Sequence, residues 1–229
     1  MNKYQLTRRG FIKTVSTGAA AMGLAMFTSP LQAVTKHTDV FTSPVDPDSW
    51  FNQIQGKHRI VYDVIEPNGM MPFAWPRVFL MTNEATGTPA KDCSVVVVLR
   101  HEAIPFALGN ELWDKYHLGD AFKFNDPATG KPSLRNPFWK PGQDDFKAPG
   151  IGPVQIGINQ LQDSGVMFCA CHMALTVSSA AAAQKMNMDP GVVLKEWVAG
   201  VLPGIQIVPS GVWAVGRAQE HGCAYCYAV

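Results

Sequence analysis

Residues 165–188 read GVMFCACHMALTVSSAAAAQKMNM, and the architecture of the chain turns on how this stretch is divided. VMFCACH is short, apolar and preceded by glycine, which predicts a strand. From Ala174 onward the segment is rich in alanine and unbranched residues, the strongest helix formers, and predicts a helix to about residue 188. A strand running directly into a helix is half of a β-α-β unit. Within the strand, alternate side chains face alternate sides, so Cys169 and Cys171 are expected on the same side, one pleat apart. Cys171 then stands at a helix N-terminus, where unpaired N–H groups and the positive end of the helix dipole favour a thiolate, and a protonated His172 or His101 would push the same way. Cys169, one pleat inside, is expected to be packing. Three uses remain open for the pair: a sulfur-handling site, part of a metal site, or two small core residues.

The rest of the chain repeats the pattern. HRIVYDVIE (58–66) predicts a strand closed by Pro67, Asn68 and Gly69. FAWPRVFLMTNEAT (73–86) predicts a helix in which Pro76 occupies the first turn or makes a kink. CSVVVVLRH (93–101) is the strongest strand, an uninterrupted apolar run, with Cys93 as a buried free cysteine at its start. PFALGNELWDKYHLG (105–119) has helical apolar spacing. VQIGINQLQDSG (154–165), PGVVLKEWVAGVL (190–202) and VWAVGRAQEHG (212–222) predict further helices, and IQIVPSG (205–211) a further strand. Alternating strands and helices imply a three-layer α/β/α domain with a mostly parallel sheet. Two stretches fall outside the rhythm. Residues 118–150 hold five prolines, which predicts an irregular excursion over the surface, available as a cover for a site. CAYCYAV (223–229) reads as a tail.

Strands of a parallel sheet all end on one edge, and ligands bind outside those carboxyl ends. That rim gathers Glu66 and Asn68 after the first strand and Arg100, His101 and Glu102 after the second. It adds Cys171 and His172 after the third, and Pro209, Ser210 and Gly211 after the fourth. Cys171, His101 and His172 are the candidate catalytic residues. Glu66, Asn68, Ser210 and Gly211 are the candidate ligand- or cofactor-binding positions, and the sequence names no cofactor. Cys169, Cys171, His172, His101 and Met173 form an alternative soft-ligand set suited to copper or zinc.

The first 33 residues are read apart from the domain. TRRGFIK (7–13), followed by an apolar Ala/Gly-rich run ending in LQA, resembles a twin-arginine export signal, so the Tat translocase is an expected partner and the periplasm the expected location. Residues 34–56 form a polar lead-in, and the domain occupies 57–229. The leader carries four basic residues and no acid, so 19 basic residues fall to 15 against 18 acidic ones, a formal charge of −3 after cleavage. With no basic stripe, nucleic acid is excluded as an expected partner. Five cysteines leave at least one thiol unpaired within the chain. Cys223 and Cys226 lie in HGCAYC, where Tyr227 stands in place of the histidine that covalent haem attachment needs. With His221 the pair has metal-like spacing. The last helix returns the chain to the far edge of the sheet, so a local disulfide is the expected state of the two cysteines unless the tail forms an added strand.

The stretches GVMFCACHMALTVSSAA, VVVVLRHEAIPFAL and VLPGIQIVPSGVWAVGRAQEHGCAY together resemble a secreted branch of the DsrE/DsrF-like family of small α/β sulfur-relay proteins, over roughly residues 55–227. The resemblance implies a persulfide on Cys171, with Cys169 as the other register. It also implies sulfur transfer with a donor or acceptor protein, and homo-oligomers built from trimers or larger rings. The leader, the 118–150 excursion and the Cys-x-x-Cys tail depart from the cytoplasmic pattern. A metal-binding protein and a non-catalytic oligomeric subunit are the competing functions.

Overall fold

The structure, a computed structural model, describes residues 46–228. The proposed export signal and residues 34–45 of the lead-in lie outside these. Five strands form one sheet: β1 (His58–Val64), β2 (Cys93–Leu99), β5 (Val166–Cys171), β6 (Ile205–Val208) and β7 (Ala224–Tyr227). Their spatial order is β6-β5-β2-β1-β7, and every pairing is parallel. The helices are α1 (Met71–Ala85), α2 (Asn110–Lys115), α3 (Leu118–Ala121), α4 (Ile158–Gln162), α5 (His172–Met186), α6 (Pro190–Ala199) and α7 (Gly211–Glu220). A two-residue hairpin, β3 (Lys147–Ala148) with β4 (Gly152–Pro153), sits apart from the sheet.

The order of the strands explains the layers. From β1 through β2 and β5 to β6 the chain steps in one direction, so right-handed crossovers place α1 to α6 on one face. From β6 to β7 it steps back across the sheet, which puts α7 on the other. The two cores follow suit. Val95, Val97, Leu99 and Phe168 pack with Phe73, Trp113, Phe138, Leu175 and Trp197, while Val96, Val98 and Cys169 pack with Ala214, Ala218, Phe51 and Ile54. The valine run is buried on both faces because β2 is the central strand of five. This is the three-layer α/β/α architecture with a parallel sheet.

Five sequence expectations are corrected. First, CAYCYAV is no loose tail: residues 224–227 form edge strand β7, hydrogen-bonded along β1. Second, the helix expected over 105–119 is split. A 3-10 helix at His101–Ala107 precedes the short α2 and α3, because Pro105 and Gly109 interrupt the run and Leu108 instead bridges Val201. Third, the 118–150 segment is anchored in the core rather than laid over the surface. Phe138 is fully buried and stacks on Phe73 at 4.1 Å and Phe146 at 4.7 Å. Asn136, also fully buried, donates to the Phe106 and Leu108 carbonyls, satisfying irregular backbone where no ladder can. Fourth, the end of the lead-in is structured: Ser49–Gln53 is a 3-10 turn whose Phe51 plugs the α7 face. Fifth, Pro76 sits in the second turn of α1, where the carbonyl of residue 72 goes without its helical partner.

Candidate functional site

Two neighbouring strands whose following helices leave to opposite faces open a crevice at their carboxyl ends. In this sheet those strands are β5, which feeds α5 on the thick face, and β6, which feeds α7 on the other. Cys171 closes β5, and Ser210 caps α7 with its Oγ accepting the Trp213 N–H at 3.3 Å. The topology therefore brings the predicted Cys171, His172, Ser210 and Gly211 to one switch point.

Cys171 is the N-cap of α5, its Sγ accepting the Ala174 N–H at 3.3 Å. Capping turns the side chain back over the first helical turn, and this corrects the expectation that it shares a side with Cys169. Cys171 joins the cluster under α5, whereas Cys169 faces the α7 layer. Cys169 is fully buried, and desolvation pushes its thiol far above the ordinary range, with the nearby Cys171 adding to the effect. Cys171 retains 6% exposure at the rim. Cys93, expected to be buried, is only partly so, because it sits at the amino end of β2.

The histidines divide. His101 opens the 3-10 turn after β2 with a left-handed φ of 51°, exposed on the same rim. His172 is half-buried, and desolvation lowers its pKa. The lowered pKa works against the protonated form in which His172 would favour a thiolate at Cys171. Glu66 and Asn68 lie beyond the end of β1, exposed. Asn68 turns the chain into α1 through its carbonyl, which accepts the Met71 N–H at 3.0 Å.

The cation at this rim is Arg100, which the sequence placed there without a role. The register pairs Leu99 with Ala170, so Arg100 comes level with Cys171. Its Nε and Nη2 donate to the two carboxylate oxygens of Asp63 at 2.6 and 2.8 Å. Tyr225, from β7, donates its hydroxyl to Asp63 Oδ2 at 3.0 Å. Asp63 is 3% exposed, a carboxylate that burial would penalise heavily without these partners. The bond to Asp63 raises the Arg100 pKa most, and Cys171 is among the charges that raise it further. Gly211 lies against the arginine stem: a Cβ there would stand 2.5 Å from Arg100 Cδ and 2.6 Å from its Cβ. The signal available in sequence was one acid inside an apolar strand and one arginine directly after four valines and a leucine.

The tail cysteines do not form the expected local disulfide; all five cysteines are free. Residues three apart in extended chain face opposite ways. Cys223 accordingly packs in the α7 layer and Cys226 against the thick layer. Among the described residues no three His, Cys, Asp or Glu side chains gather as a metal site, and Cys169 and Cys171 pack in different layers. No helix among them is long and apolar enough to cross a membrane.

No protein-family model matches the chain, and no curated protein matches it. Among solved structures the chain is similar to the protein of unknown function MTH1491 from Methanobacterium thermoautotrophicum, at 16% identity and a TM-score of 0.39, over 75% of this chain and 99% of that one.

Proposed function

We propose that the protein is an exported sulfur carrier of the DsrE/F-like kind, holding sulfane sulfur on Cys171. The observation that carries this reading is the position of that thiol. Cys171 combines the carboxyl end of an interior strand, the N-cap of a fifteen-residue helix and the switch point of the sheet. A helix N-terminus stabilises negative sulfur, whether thiolate or persulfide.

In the proposed transfer the Cys171 thiolate attacks the terminal sulfur of a donor persulfide R–S–SH. The new Cys171 S–S bond forms as the donor S–S bond breaks, and R–S⁻ leaves with the electron pair, giving Cys171–S–SH. The same exchange run onto an acceptor thiolate returns Cys171 to its starting state. In this reading His101, exposed on the same rim, exchanges protons with the departing sulfur. Export through the twin-arginine route, using Arg8 and Arg9, and assembly into homo-oligomers belong to the same reading.

The test is intact mass of protein purified from the periplasm, with and without reductant. A reductant-sensitive gain of about 32 mass units, one sulfur on the attacking thiol, is expected, mapped to the Cys171 peptide and missing in Cys171→Ser. Absence of that species after incubation with a persulfide donor would reject the reading.

A further inference from the structure

We infer that the Cys171 site selects small anionic sulfur donors, with Arg100 as the residue that confers the selection; this rests on the sulfur-carrier reading above for its chemistry. Replacing a buried ion pair by apolar residues of similar volume is often neutral or stabilising. The Asp63–Arg100 pair is thus poorly explained as a device for holding the sheet together. It does fix a guanidinium. Asp63 takes up the Nε and Nη2 edge, Tyr225 braces Asp63 from β7, and Gly211 closes against the aliphatic stem. No hydrogen bond engages Nη1 among the described residues, and the arginine side chain keeps 24% exposure.

Three further features favour an anion at this place. Arg100 comes level with Cys171 in the register of β2 and β5. α5 and α7 both start from the carboxyl ends of the neighbouring strands β5 and β6, and their leading N–H groups have no intrahelical acceptors. Cys171 is only 6% exposed, and so little exposed sulfur suits a small inorganic donor better than a cysteine persulfide carried on another protein. Thiosulfate has the required chemistry. The Cys171 thiolate attacks its outer sulfur, the S–S bond of thiosulfate breaks, and sulfite leaves as the dianion with the bonding pair. Cys171 is left as the persulfide anion, and total charge is conserved at −3. Arg100 contributes by drawing in the dianion and stabilising the departing sulfite.

The experiment compares alkylation of the reduced, folded protein by iodoacetate, an anion, and iodoacetamide, its neutral isostere, at one pH, with the Cys171 adduct quantified by peptide mass. The iodoacetate-to-iodoacetamide rate ratio should exceed that of 2-mercaptoethanol by roughly threefold or more, the scale of one partly exposed charge interaction. In the charge-free, hydrogen-bonding pair Arg100→Gln with Asp63→Asn the ratio should fall to that of the free thiol, while Arg100→Lys should keep part of the excess. A purely structural arginine would slow or speed both reagents together. A wild-type ratio at or below the free-thiol value overturns the inference without any variant, as does an unchanged ratio in the double variant. The two proposals fail separately. If the anion preference is present but thiosulfate and a persulfide donor both leave the Cys171 mass unchanged, the carrier reading falls. If a persulfide forms from a neutral donor with no anion preference, only the present inference falls.

Discussion

Strands β5 and β7 are each associated with a cysteine pair, yet they bring different chemistry to the rim. In β5 the cysteines are two apart, the strand is covered on both faces, and its last residue turns into α5. At β7 they are three apart, Cys223 just before the edge strand and Cys226 within it, and Cys223 packs in one layer and Cys226 against the other. What β7 brings to the rim is Tyr225, whose hydroxyl reaches Asp63. A cysteine's use thus follows from where its strand ends and which face it meets, and spacing in the sequence is a weak guide to it. The two strands are also joined: the Asp63–Arg100 pair touches Tyr225 on one side and lies level with Cys171 on the other.

The largest expected effect tests that junction. Arg100→Met leaves the Asp63 carboxylate buried with only Tyr225 beside it, and the loss in unfolding free energy should be about 3–5 kcal/mol, as for other half-removed buried pairs. Urea unfolding measures it; a loss below about 1 kcal/mol, the range of exposed pairs, would show that Asp63 finds water and that the two strands are not coupled. Next comes Gly211→Ala, where the added methyl meets the arginine stem at 2.5 Å. The cost should be roughly 1–3 kcal/mol, typical of overpacking, and the iodoacetate preference at Cys171 should drop with it. Stability lost with the preference intact would mean that α7 shifts while Arg100 stays.

Tyr225→Phe should cost about 0.5–1.5 kcal/mol, one hydrogen bond to a charged acceptor at a half-exposed site. The same variant should make β7 exchange its amide hydrogens faster, while protection in β5 is unchanged. Equal loss of protection in both strands would erase the distinction between edge and centre.

The smallest effect is a pH dependence. Desolvation raises the Cys223 thiol to about 11, against a modest opposing pull from Arg59. The folded state therefore holds this proton more tightly than the unfolded chain, whose thiol ionises near 8.5. That contribution to stability is complete below the unfolded pKa and is lost as pH rises towards about 11. Cys223→Ala should flatten this part of the alkaline stability curve, and Cys226→Ser should leave stability within about 0.5 kcal/mol. A flatter curve from Cys226→Ser and none from Cys223→Ala would reverse the assignment of the two residues to their layers.

Local signals carried the framework of the molecule. The uninterrupted apolar run of β2 marks a central strand wherever it occurs, and alanine after Cys171 starts a helix whatever packs on it. Strand–helix alternation then implies a parallel sheet with a common rim, and Cys171, His101, Ser210 and Gly211 follow onto that rim without coordinates. The partners of those residues were not legible. Asp63, Arg100 and Tyr225 lie 37 and 162 residues apart in pairs, and no periodicity links them. CAYCYAV is too short to announce a strand until the exposed edge of β1 gives it a partner. Phe138 reads as loop because prolines surround it, although aromatic burial outweighs the irregular backbone once Asn136 satisfies the nearby carbonyls. The half-burial that lowers the His172 pKa is likewise set by what the fold packs around it. Periodicity and propensity act over a few residues and are written in the chain. Desolvation, charge pairing and the filling of a sheet edge depend on what the fold brings close, and those were decided in three dimensions.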